Sequence, residues 1–149
     1  KSPANMVGYW KNEEATKEVF NDDGWFKSGD LGYIDDGFVY IVDRVKDMVI
    51  RGGENIACPE VENAIYEHPD VLQACVFGIP DERLGEILCT AIYLKEDAKL
   101  NEESLVEFLS DKLAAFKIPA VIKFIPNTLP LLASGKFDKP SLRKTFLNE

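Results

Sequence analysis

The stretch "VLQACVFGIPDERLGEILCTAIYLK", residues 71–95, decides the fold. Two apolar runs, "VLQACVFGIP" and "EILCTAIYLK", are each of strand length and rich in apolar and β-branched residues, with a short charged connection between them. On the N-terminal side Pro59 suits the first turn of a helix, and Val61, Ala64 and Ile65 recur at helical spacing through to about Glu67. On the C-terminal side Asn101 is suited to cap a helix whose apolar stripe is Leu105, Val106, Phe108, Leu109 and Leu113. "VIKFIP", 121–126, reads as a further strand and residues 140–146 as a short closing helix. This alternation predicts a small α+β domain in which helices flank a short β-sheet.

Further upstream, "DLGYIDDGFVYIVDR", 30–44, carries two short β-type runs, Leu31 to Ile34 and Phe38 to Val42. Asp36-Gly37 between alternating apolar residues is a strong hairpin signal. Another run, Asp47 to Ile50, follows the charged joint Asp43-Arg44-Val45-Lys46. The first 20 residues show no clean period. A lone hairpin buries too little surface to stand alone, so residues 1–43 read as the tail of another unit and 44–149 as the α+β domain.

The chain of 149 residues is 46% apolar and 11% aromatic, a composition for a folded protein with a proper core. Its formal charge of −9 opposes non-specific binding to nucleic acid or an anionic membrane, so an anionic ligand needs a local basic site. Cys58, Cys75, Cys89 and the lone His68 make no zinc-like spacing, and no metal site is expected. No apolar run approaches the length of a membrane span and no signal peptide is legible, which together with unpaired thiols predicts a cytoplasmic protein. His68 reads as a helix-end residue, and the stripe around Phe108 as core.

Three stretches hold more glycine, carboxylate and base than packing needs. In "GWFKSGDLGY", Asp30 lies between Gly29 and Gly32, well suited to accept hydrogen bonds from a sugar diol; an Asp that merely opens a turn is the plainer reading. In "DRVKDMVIRGGENI", Arg44, Lys46 and Arg51 cluster positive charge, and Gly52-Gly53 permits close approach to a ligand. Period-2 geometry would send Arg44 and Lys46 to one side of an extended segment, where they can meet one phosphate; alternatively Asp43, Asp47 and Glu54 neutralise these bases in a salt-bridged turn. In "LPLLASGKFDKP", 129–140, Lys136 sits on a small-residue turn. Pro130 occupies the first glycine position of a phosphate loop and Phe137 follows the lysine, so this is no such loop but a cation on a turn that can serve a site formed elsewhere.

In order, "GWFKSGDLGYIDDGFVYIVDRVKDMVIRGGENI", "PEVE", "VFGIPDERLGE" and "LPLLASGKFDK" resemble the C-terminal part of the AMP-forming acyl-CoA synthetases, a superfamily that includes luciferases and the adenylation domains of peptide synthetases. The resemblance implies a mobile C-terminal lid preceded by the last hairpin of a large N-terminal adenylation domain. It implies that Asp30 holds the ribose hydroxyls of ATP or AMP, and that Asp43 and Arg44 form the hinge, with Arg44 also approaching the ribose and phosphate. It implies that Lys136 enters the site during adenylation, and that Gly52, Gly53 and Glu54 replace it for thioester formation along the path of CoA. ATP, CoA and Mg2+ are implied for the full-length enzyme, with a fatty or aryl acid as substrate. The phosphate loop and acyl pocket of the large domain are missing from these residues, so the fragment alone is expected to be inactive. An enzyme loading a carrier protein, or a non-catalytic interaction module of the same fold, is the alternative. Cys58, where an aromatic is common, and Leu131-Leu132, where an Arg often precedes the turn, depart from the pattern.

Overall fold

A computed structural model describes residues 1–147. The chain divides into two compact units, 1–46 and 47–149.

In the first unit, α1 (Glu13–Val19) precedes the hairpin β1 (Asp30–Asp35) and β2 (Phe38–Arg44). The Asn12 side chain accepts from Ala15 N–H at 3.0 Å and caps α1. The hairpin turns through Asp36 and Gly37, whose φ values of 45° and 79° are those of a twist-matched two-residue turn. Tyr33 and Tyr40 stack across the strands with centroids 5.0 Å apart. The register slips between Leu31 and Gly32, leaving Val42 as a bulge just before the strand end. No residue of this unit is buried, and Ile34, Phe38, Val39 and Ile41 are each more than 60% exposed. A hairpin with both faces apolar and exposed lacks a core of its own.

In the second unit, β3 (Val49–Arg51), β4 (Glu54–Ile56), β5 (Val71–Asp81), β6 (Gly85–Leu94) and β7 (Val121–Phe124) form one sheet in the order β4-β3-β6-β5, with β7 parallel to β6. The long β5–β6 ladder is its axis. Period-2 alternation divides these strands between two cores. Ala74, Val76, Leu88 and Ile92 pack with α2 (Cys58–Tyr66) and α3 (Glu102–Ser110) through Val61, Ile65, Leu105 and Leu109. Cys75, Phe77, Cys89 and Ala91 pack with Leu129 and with Leu142 and Phe146 of α4 (Lys139–Leu147). The fold is α+β, with helices on both faces of a short mixed sheet. Among the described residues no helix is long and apolar enough to cross a membrane.

The free edge of β5 is braced by side chains. Tyr66 Oη donates to Ala74 C=O at 3.2 Å and accepts from Ala74 N–H at 3.0 Å. Glu62 Oε1 accepts from Val76 N–H at 2.8 Å, and Arg143 Nε donates to Gly78 C=O at 3.0 Å. Such groups occupy an edge that would otherwise template pairing with another chain.

Two elements were not legible beforehand. Helix α1 has no apolar stripe, and only Asn12 with Glu13, Glu14 and Lys17 marks it, as a capped helix with charges matched to its dipole. Strand β4 is three residues long and is recognisable only as the return of a Gly-Gly hairpin. Leu113 lies beyond the end of α3, yet packs on the core with Val106 and Phe108. His68 follows α2: its Nδ1 accepts from Asp70 N–H at 3.2 Å and its ring meets Phe108 edge-on at 4.9 Å, a structural role.

Candidate functional site

In the first unit the end of the hairpin brings the acidic and basic candidates together. Asp30 and Arg44 are register partners across β1–β2, and Arg44 Nε lies 3.4 Å from Asp30 Oδ1. The Asp30 side chain is 31% exposed and that of Arg44 51%, so both remain open to a ligand. Asp30 N–H donates to Ser28 Oγ at 3.1 Å, and Val45 N–H donates to Gly29 C=O at 2.9 Å, which closes the strand ends. Gly32 is required for close approach: a Cβ there would stand 2.4 Å from Tyr40 O. Asp43 Oδ1 accepts from Arg44 N–H at 2.7 Å and fixes the backbone where the strand stops.

The expectation that Arg44 and Lys46 lie on one side of an extended segment does not describe the backbone, because β2 ends at Arg44 and Val45–Asp47 is a 3-10 turn. The two cations nevertheless line one cleft of about 340 Å³ with Ser28, Gly29 and Val45. A carboxylate and two bases beside a small cleft suit a ribose and its phosphate.

In the second unit, Gly52 and Gly53 are the two residues of the β3–β4 turn, with φ of 59° and 91°. Both angles lie where side chains are disfavoured, so hairpin geometry alone accounts for both glycines. Gly52 N–H donates to Leu84 C=O at 2.8 Å, which seats this turn on the β5–β6 connection. Asp81 Oδ1 holds that connection by accepting from Arg83 N–H at 3.0 Å and Leu84 N–H at 2.8 Å. The exposed Glu54 shares with Arg51, Arg83 and Phe116 a cleft of about 420 Å³. Arg51 Nη1 donates to Phe116 C=O at 2.6 Å.

Lys136 is exposed at the tip of a built hairpin. Leu131 bridges Phe137, Leu132 N–H donates to Lys136 C=O at 2.8 Å, and Gly135 N–H donates to Leu132 C=O at 2.9 Å. Asp138 N–H donates to Pro130 C=O at 2.8 Å, closing the hairpin's base. Among the described residues the Lys136 ammonium has no ion-pair or hydrogen-bond partner. The Asp138 carboxylate accepts from Ser141 Oγ at 2.6 Å and Ser141 N–H at 3.1 Å at the start of α4, and these bonds hold it below the usual carboxylate range.

The three cysteines are buried and reduced. Burial pushes the Cys75 thiol up to about 12 and the Cys89 thiol up to about 11, so neither is a nucleophile at neutral pH. Among the described residues no group of three or more His, Cys, Asp or Glu is placed to hold a metal ion.

Residues 60–136 match the family of AMP-binding enzyme C-terminal domains. The chain is 46% identical over 143 residues to 2-succinylbenzoate–CoA ligase of Bacillus licheniformis, covering 95% of this chain and 29% of that protein. It is 44% identical over 140 residues to the mitochondrial medium-chain acyl-CoA ligase of Bos taurus, covering 93% and 23%. ATP-bound MatB from Rhodopseudomonas palustris superposes with a TM-score of 0.90 at 38% identity, over 98% of this chain and 29% of that one. The apo form of MatB, over the same shares and at 39% identity, gives 0.70. The chain thus spans less than a third of the length of the relatives it matches. With the family match extending over residues 60–136, more than half of its length, this chain belongs to the AMP-binding enzyme C-terminal domain family.

Proposed function

We propose that these residues are the C-terminal portion of an AMP-forming ligase that activates a carboxylic acid, fatty or aryl, as its adenylate and transfers the acyl group to CoA. Residues 1–43 are then the end of a large adenylation domain and 44–149 a lid that pivots at Asp43 and Arg44. The exposed apolar hairpin, with no buried residue of its own, fits an element that packs on a larger body.

Bound ATP supplies the electrophilic α-phosphate, which a substrate carboxylate oxygen attacks as the bond to pyrophosphate breaks. Asp30 accepts from the ribose hydroxyls while Arg44, paired to it, faces the phosphate with Lys46. Lys136 reaches the reacting oxygens and stabilises the charge that spreads over them; one such contact is worth about 10² to 10³ in rate. For the second step the thiol sulfur bonds to the acyl carbon and AMP leaves. Lys136 is then withdrawn, and Gly52, Gly53 and Glu54 line the path of the pantetheine arm. A hinge lets one domain offer Lys136 first and the glycine turn second. The implied Mg2+ finds no donor set among the described residues, and no step is assigned to it. Lacking a phosphate loop and an acyl pocket, the 149 residues alone make no adenylate.

The observation that carries this reading is the Asp30–Arg44 pair, whose arginine lines a cleft together with Lys46. Its test is equilibrium binding of ATP to the ligase containing this chain. Asp30→Ala should weaken binding by about 10- to 100-fold, the range for a lost hydrogen bond to a charged group. Unchanged affinity would remove the nucleotide from this site.

A further inference from the structure

Three residues beyond Lys136, the Lys139 side chain turns inward rather than out to solvent. Its Nζ lies 3.7 Å from Glu62 Oε1, and the two side chains are only 23% and 19% exposed. The same Glu62 oxygen accepts from Val76 N–H at 2.8 Å, so one carboxylate joins the Lys136 arm to α2 and to the edge of β5. Cys58 Sγ donates to Asp47 C=O at 3.1 Å, which ties the start of α2 to the first residue of the second unit. Burial disfavours the Lys139 ammonium, but Cys58, Glu62, Cys75 and Asp47 around it outweigh burial and keep it protonated above the usual lysine value.

A lysine and a glutamate this far from solvent are not needed to close the core, which apolar residues fill on both sides. What the pair does connect is the hairpin whose tip presents Lys136. That hairpin is closed by its own backbone bonds and the Leu131–Phe137 bridge, and it is held to the body by the packing of Phe137 on the second core and, just before it, by the buried Leu129, whose N–H donates to Gln73 Oε1 at 2.8 Å. Lys139 opens α4 directly after it.

We propose that Glu62 and Lys139 are positioning residues for Lys136, their ion pair fixing the hairpin that presents this lysine to the body of the second unit. The inference rests on the reading of Lys136 as the residue presented in adenylation. Neither residue touches substrate; both act through the hairpin. A displacement of about 1 Å in a reacting group suffices to lower a rate markedly.

The test has a structural and a kinetic arm. Amide hydrogen exchange is measured on the 149-residue chain at Leu132, Gly135 and Asp138, whose N–H groups close the hairpin, with β5 and β6 amides as the reference. Glu62→Gln keeps an acceptor for Val76 N–H and removes only the charge. Lys139→Met removes the cation, and Lys139→Arg keeps it. Exchange at the three hairpin amides should rise about tenfold in Glu62→Gln and Lys139→Met and stay near wild type in Lys139→Arg, with β5 and β6 unchanged. In the ligase containing the chain, Lys139→Met should lower kcat of adenylation with KM for ATP unchanged, leave thioester formation from preformed adenylate intact, and be rescued by Lys139→Arg.

Unaltered hairpin exchange in folded Lys139→Met overturns the proposal, whatever Lys136 does. If that variant does not fold, Glu62→Gln decides by the same criterion. If the amides loosen as expected while Lys136→Ala retains adenylation, the tether stands and the role given to Lys136 is what fails.

Discussion

Gly53 separates two reasons for a glycine that the sequence merges. Its φ of 91° is disfavoured for a side chain, yet a Cβ built there meets nothing within 4 Å. Replacing it by Ala therefore incurs no clash, only a backbone cost of about 1 to 2 kcal/mol for forcing an L-residue to positive φ. Ala also restricts the unfolded chain, which offsets about 0.4 to 1 kcal/mol, so a net loss of about 1 kcal/mol is expected for Gly53→Ala. In a domain of this size that is a fall of about 4 to 8 °C in Tm, read by thermal unfolding of the 149-residue chain. An unchanged Tm would show that the turn does not hold this residue at positive φ. A loss above about 3 kcal/mol would show a contact that the open surroundings of Gly53 do not contain. The functional arm is independent: in the ligase, Gly53→Ala should slow thioester formation more than adenylation, because the open space beyond Gly53 is where the pantetheine arm is proposed to pass.

Thr90 is fully buried in the middle of β6, on the face of Leu88 and Ile92, and its hydroxyl has no partner among the described residues. Thr90→Val keeps the shape and should raise stability by about 1 kcal/mol; a lower denaturation midpoint would mean the hydroxyl is satisfied. The alkaline limb of stability follows from the thiols. Cys75 and Cys89 titrate near 9.0 when unfolded but are held at about 12 and about 11 by burial, so the folded chain keeps protons that the unfolded chain loses. Their contribution is complete below pH 9 and lost as pH rises toward 12, giving a Tm that falls above pH 9; a flat profile would refute it, and the double variant Cys75→Val, Cys89→Val should flatten it.

The fold was legible where periodicity is strong. The runs 71–80 and 86–95 became β5 and β6, Asn101 caps α3 through Ser104 N–H at 2.9 Å, and Asp36-Gly37 turns the first hairpin. Local signals failed where a segment is short or its partner distant. Strand β4 has only three residues, too few for a period to show, although its partner β3 lies just across the Gly52-Gly53 turn. The candidate residues were identifiable by motif, but their geometry was not. Arg44 and Lys46 share a cleft because a 3-10 turn follows the strand, and Arg51 donates to the carbonyl of Phe116, a residue far along the chain. Glu62 and Lys139 close two of the motifs that carry the resemblance, "PEVE" and "LPLLASGKFDK", but nothing in the sequence marks them as a pair. A charged residue on a helix normally faces solvent, and only the meeting of these two side chains from helices on opposite faces of the sheet leaves them 23% and 19% exposed.

The role proposed for Lys136 is to serve the first half-reaction and withdraw for the second. It is tested most directly in the ligase containing this chain with Lys136→Ala, following acid-dependent ATP–pyrophosphate exchange and, separately, CoA thioester formation from preformed acyl-adenylate. Loss of exchange by about 10² to 10³ with the thioester step retained is the expected result. Exchange that survives the substitution would make Lys136 a surface lysine and contradict the account.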